Sequence, residues 1–240
     1  MITLYQFPKH FDLPNLSPFC AKIECYLRMA KIDYTIEPVT DTRKAPKGKC
    51  PYISDGGKLI ADSEIILDYL ETQYGIDLDA ALNAEQKAHS RAIQAMLDER
   101  LYWSAVYSRW IDEQTWPQLS KLFFGNMPFP LNKIIPTIAK KQISKQMYGH
   151  GMGRHSKNEI YAIGKADITA IADILGNKPF IHGNQATRID ACVFSYLSNF
   201  IIPPFSSPLS DEVQKHANLI DYNQRIMSTY FPELCHTDRS

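Results

Sequence analysis

The 240-residue chain is long enough for one large domain or two of ordinary size, and its 45% hydrophobic and 22% charged residues are the balance of a folded protein, not a disordered one. Lys plus Arg equals Asp plus Glu at 26 each, so the whole-molecule field offers no steering toward nucleic acid or an anionic membrane. No apolar run approaches bilayer length, Met1–Phe11 lacks the order of a signal peptide, and five irregularly spaced cysteines argue for a reducing compartment, by default the cytosol.

Ile2–Phe7 reads as a first strand, and Pro8–Leu16 as a loop with two prolines. Ser17-Pro18 is a helix start, because Ser suits the cap and Pro the first helical position. Phe19, Ile23, Tyr26, Leu27 and Ala30 then recur at spacings of three and four, which gives one apolar face. Tyr34–Val39 alternates as a strand. Pro46, Gly48 and Pro51 punctuate the segment after it. Tyr52-Ile53 and Leu59-Ile60 flank Asp55-Gly56-Gly57, a hairpin signal, and Asp62-Ser63 opens a helix carrying Ile65, Ile66, Tyr69 and Leu70. The order through Tyr74 is β-α-β, a hairpin, then α. Strands joined through a helix are parallel, and the hairpin completes a small mixed sheet of thioredoxin type.

No strand signal follows Gly75. The spacing predicts helices over Ala84–Trp110, Glu113–Phe124, Leu131–Tyr148, Lys157–Leu175, Asp190–Phe200 and Asp211–Thr229, with prolines at 128, 130, 179, 203 and 204 marking breaks. Gly149–Ser156 reads as a mobile Gly-rich turn. The expected division is therefore residues 1–76, thioredoxin-like, and 84–240, all-helical.

Four motifs carry a resemblance to the glutathione transferase superfamily over nearly the whole chain. They are Ser17-Pro18-Phe19-Cys20, Pro46-Lys47-Gly48-Lys49-Cys50-Pro51, Asp62-Ser63, and Gly183–Asp190 with its Thr187 and Asp190. Within the superfamily, SPFCAKIECYLR, ADSEIILDYLE and MLDERLYWSAVYSRW most resemble the metaxin and failed axon connections-like branch. The resemblance implies a thioredoxin-like domain binding glutathione, a helical second domain, a cytoplasmic homodimer, and transfer of the thiol to an apolar electrophile. One departure stands out. Only Thr40–Cys50 separates the second strand from Pro51, where most transferases place a helix that holds glutathione's glycine end. Lys44, Lys47 or Lys49 would have to serve.

A thiol titrates near ~8.5, so a site that ionises it at neutral pH needs donors in a positive field, which a helix N-terminus supplies. Ser17 could add a hydroxyl donor to that sulfur, or only cap the helix. With Ser at 17, no C-x-x-C pair forms; Cys20 is either a thiol exchanging with glutathione or a buried small residue. The resemblance implies a cis Pro51, with Cys50 offering its main chain to a peptide ligand. Asp62 and Ser63 are either caps or, by resemblance, the receptors of the γ-glutamyl end. Thr187 and Asp190 are spaced as a capping box and do no chemistry. Tyr102, Trp103 and Arg109 line either a pocket for the electrophile or the core. No metal motif, phosphate loop or dinucleotide fingerprint is present. The rivals to a transferase are a scaffold that kept the fold and a thiol oxidoreductase working through Cys20.

Overall fold

Alternate burial of Ile2, Leu4 and Gln6 makes the first strand, β1 (Ile2–Gln6), the middle of a sheet. The computed structural model, which describes residues 1–235, sets β1 beside β2 (Tyr34–Pro38) in parallel and beside β3 (Tyr52–Asp55) antiparallel. The hairpin adds β4 (Lys58–Ala61), giving the order β2-β1-β3-β4. Between β1 and β2 runs α1 (Pro18–Met29), and α2 (Ser63–Tyr74) follows β4. This is the mixed β-α-β and hairpin arrangement of a thioredoxin-like domain.

Only helices follow among the described residues. Helical hydrogen bonding continues from α3 (Ala84–Ala95) through a π segment, Met96–Leu101, into α4 (Tyr102–Val106) and a second π segment, Tyr107–Ile111. Then come α5 (Trp116–Phe124), α6 (Leu131–His150), α7 (Lys157–Leu175), α8 (Arg188–Ile201), α9 (Pro208–Gln214), α10 (Ala217–Tyr230) and α11 (Pro232–Cys235). The helix expected over Asp211–Thr229 is in fact two. Its first half starts earlier, where Ser207 caps and Pro208 takes the first helical position, and it stops at Lys215. The Gly-rich turn holds a short 3-10 helix at Met152–Arg154. No helix among the described residues is long and apolar enough to cross a membrane.

The chain forms two compact units. The first comprises Met1–Gln94, Ile174–Pro203 and the residues from Ala217; the second comprises Ala95–Asp173 with Pro204–His216. In the first, α1 is buried on nearly every side, Lys22 and Glu24 included, and packs on α8, α2 and α10. Three carboxylates on one face of α2 meet a single guanidinium there. Arg188, the first residue of α8, pairs with Glu64 at 2.9 Å, Asp68 at 2.8 Å and Glu71 at 3.0 Å. Arg28 anchors the chain's last described helix by pairing with Glu233 at 2.6 Å and donating to the Tyr230 carbonyl at 2.7 Å.

In the second unit, Val106, Met147, Met152 and Ile160 form a core against which Tyr102, Trp103 and Ile143 pack. Gly164 lets α7 come close to its neighbours: a Cβ there would meet Leu209 at 2.7 Å and Ser104 at 2.9 Å.

Candidate functional site

The ladder register brings three sequence motifs to one end of the sheet. Tyr52 sits opposite both Tyr5 and Ala61, so Cys50-Pro51 precedes that row on β3 and Asp62-Ser63 follows it on β4. The start of α1 joins them from behind, because Cys20, Ala45, Cys50, Tyr52 and Ala61 form one buried cluster, with Tyr5 and Val39 packed on it. Ser17, Cys50 and Ser63 therefore border a common region of the first unit.

Ser17 stands at the N-cap position of α1, but its side chain makes no capping hydrogen bond. Of the two readings of Ser17, the side-chain helix cap is therefore not made. Asn15 fixes the approach, its carboxamide oxygen accepting from the Ser17 N–H at 3.0 Å while its Nδ2 donates to the Phe7 carbonyl at 2.7 Å. Cys20 is 0% exposed. Burial pushes its thiol up to about 12, although hydrogen bonds with the Phe7 backbone and Ser17 work the other way. It is a protonated thiol at neutral pH, which weighs against a nucleophilic Cys20.

The Cys50–Pro51 bond is cis. Burial likewise raises the Cys50 thiol to about 11. Its N–H and C=O make no hydrogen bond with the described residues, since the ladder begins at Tyr52. Upstream, Thr40–Cys50 contains one short turn, the 3-10 helix Thr42–Lys44, capped by Asp41 accepting from the Arg43 N–H at 3.0 Å. Lys47 and Lys49 are exposed beyond it.

Asp62 has φ 89° and ψ 128°, a conformation that costs a non-glycine residue about 1–3 kcal/mol. Its carboxylate accepts from the Glu64 N–H at 3.1 Å, which caps α2. Ser63 is 7% exposed, and its hydroxyl and N–H have no partner among the described residues. The unusual backbone at Asp62 thus sets a helix start whose first donors are spare.

Beside this end lies a polar cavity of about 210 Å³, lined among others by Lys22, Glu64, Asp68, Asp79, Ser90 and Arg188. Lys22, 1% exposed, donates to Glu64 at 2.7 Å. Burial alone would raise the Glu64 carboxyl; Lys22 and Arg188 together hold it below its usual range. None of the four sequence motifs points to this network. Its signal was present in Glu64, Asp68 and Glu71, acids at helical spacing on one face of α2 that call for a cationic partner.

The remaining site residues separate. Thr187 and Asp190 form the expected capping box of α8. The Asp190 carboxylate accepts from the N–H groups of Thr187 and Ile181, at 2.7 and 2.9 Å, and from the hydroxyls of Thr187 and Tyr222. Tyr102, Trp103 and Arg109 belong to the second unit. There Tyr102 and Trp103 pack on the core, and Trp103 also stacks on His150 at 4.6 Å. Burial lowers the Arg109 guanidinium to about 10, with Tyr102 working against it. No cluster of metal-binding side chains occurs among the described residues.

Residues 18–115 match a family described as the glutathione S-transferase N-terminal domain, and residues 164–226 match the glutathione S-transferase C-terminal domain. The isoprene-epoxide–glutathione S-transferase of Rhodococcus sp. (strain AD45) is 34% identical over 96% of this chain and 99% of its own length. Failed axon connections of Drosophila melanogaster is 33% identical over 97% of this chain, which spans 59% of that protein. A crystal structure of a glutathione S-transferase from Methylobacillus flagellatus with glutathione bound superposes with a TM-score of 0.62, at 15% identity and 98% coverage of both chains.

Proposed function

The chain belongs to the glutathione S-transferase superfamily, alongside its metaxin and failed axon connections-like members, and on that premise we propose that it binds glutathione and transfers the thiol sulfur to an electrophilic carbon. Residues 1–76 serve as the glutathione-binding domain and 84–240 as the helical one, in a cytoplasmic homodimer. The observation that carries the reading is the set of spare donors around one sheet end: Ser17 at the start of α1, the unpaired main chain of Cys50, and the free hydroxyl and N–H of Ser63. An extended peptide pairs with Cys50 as an added strand. Its γ-glutamyl carboxylate takes the Ser63 hydroxyl and the first N–H groups of α2, and Asp62 faces the ammonium. Lys49 is the cation nearest in sequence for the glycine carboxylate.

With Cys20 protonated, Ser17 is the side chain left to serve the ligand sulfur: its hydroxyl makes no capping hydrogen bond, so its proton is available to point at the glutathione thiol. That hydrogen bond, in the field of the α1 N-terminus, favours thiolate. The thiolate then attacks the electrophile, and proximity supplies the rest of the rate. A small epoxide is the first substrate to test, since the Rhodococcus relative is named for one. The C–S bond forms as the epoxide C–O bond breaks, and the alkoxide takes a proton from water. Tyr102, Trp103 and Arg109 are the proposed contacts for the apolar part.

A second reading, a scaffold without glutathione, is favoured by one observation: Thr42–Lys44 is a single turn where a clamp for the glycine end would sit. Isothermal titration with glutathione separates the two readings. Saturable binding supports the transferase, and its absence supports the scaffold.

A further inference from the structure

Balanced charge over the whole chain conceals a segregated stretch. Between Glu113 and Glu159 there are six lysines and Arg154, but no Asp or Glu. Within it, α6 has two distinct faces. Pro136, Ile143 and Met147 turn inward, the last two onto the core of the second unit, and Lys140 lies over the Trp116 ring at 5.6 Å. The outward face carries Leu131, Ile134 and Ile138, 45%, 47% and 59% exposed, at helical spacing. The same face continues into Lys141, Lys145 and Tyr148, all exposed, and Phe129 just before the helix is 83% exposed. The stripe is apolar at its start and cationic at its end.

From this arrangement we infer that the outer face of α6, with Phe129, docks on an anionic lipid surface, lying in the plane of the interface. Two physical requirements select that occupant. Exposed Phe129, Leu131, Ile134 and Ile138 need a medium into which side chains can sink, and acyl chains provide it where nucleic acid does not. Lys141 and Lys145, in a stretch of sequence free of acids, call for negative charge opposite them, as phosphatidylserine headgroups supply. A second copy packed antiparallel on this face would set the lysines of one helix against the apolar half of the other, which leaves those charges without a counter-ion. At 20 residues the helix is about 30 Å long, so its apolar half and its lysines engage one patch of membrane together. The contact is peripheral and independent of the glutathione site.

Flotation of the full chain with vesicles tests this, using phosphatidylcholine alone and phosphatidylcholine containing about 30% phosphatidylserine. The protein should float with the anionic vesicles at low salt, stay behind with the neutral ones, and release as salt shortens the Debye length. K141E/K145E should weaken binding about tenfold or more, and Phe129→Ser about tenfold. Circular dichroism should be unchanged in both, because the altered side chains are exposed. Failure to float with anionic vesicles, equal flotation with neutral ones, or binding indifferent to both variants would overturn the inference. Capture of poly-glutamate by a protein that ignores vesicles would overturn it too, in favour of an acidic protein partner.

Discussion

Ser17 and Cys20 illustrate how burial separates the roles of two neighbouring side chains. A cysteine one turn into a helix is ordinarily helped to ionise by the helix field, but complete burial costs its anion more than the field returns, and the thiol stays protonated. Ser17 is then the group with a proton to offer a ligand sulfur. Ser17→Ala should shift the thiolate titration of bound glutathione upward and lower the conjugation rate roughly ten- to hundredfold, the worth of a hydrogen bond to a charged sulfur. Cys20→Ser should leave the rate within a few-fold, since a fully buried side chain makes no contact to the ligand thiolate. Absorbance of the bound thiolate against pH checks both; an unmoved titration in Ser17→Ala, with activity lost in Cys20→Ser, would move the chemistry to Cys20. The residue types at positions 17, 50, 51, 62 and 63 were legible in the sequence because each motif is local. The protonation of Cys20 was not, for it depends on how deeply that residue is buried by the rest of the fold.

Elements were legible where their signals are local and blurred where packing decides. Lys157–Leu175 is the helix the spacing predicts, end for end, and β1 to α2 follow the expected order. The π segments at Met96–Leu101 and Tyr107–Ile111 were not legible, because i→i+5 hydrogen bonding inside a helix has no residue-type signature in this stretch. The split between α9 and α10 hid because apolar residues recur across the break at His216. The capping box of α8 does more than end a helix: Asp190, 0% exposed, ties Ile181, Thr187 and Tyr222 to one carboxylate. Asp190→Ala leaves those buried donors without an acceptor. It should lower stability by on the order of 3 kcal/mol, read as a fall in urea midpoint, while the affinity of the folded fraction for glutathione stays the same.

Across the whole molecule, Glu64 of α2 links stability to pH, while burial raises its neighbour Glu71, which acts in the opposite sense. Burial would raise Glu64, yet Lys22 and Arg188 hold its folded carboxyl below the unfolded value. A depressed acid contributes stability that is present above its unfolded pKa and is lost as pH falls through the folded one. Stability should therefore decline on the acid side, below about pH 4.5. Arg188→Met should flatten that limb and be less stable at neutral pH, because Glu64, Asp68 and Glu71 lose their shared partner; an acid limb unchanged in the variant would contradict the linkage. None of this was readable from composition, since equal numbers of acids and bases say nothing of where they meet. The central claim is that a site with one short turn before Cys50 still binds glutathione. Loss of one charge-assisted hydrogen bond at the glycine end removes about 1.5–3 kcal/mol, roughly one to two decades of affinity. Isothermal titration of the full chain with glutathione should accordingly give saturable binding in the submillimolar to millimolar range, weakened about tenfold in Ser63→Ala. Absence of saturable heat at several millimolar glutathione, or an affinity untouched by Ser63→Ala, would contradict it.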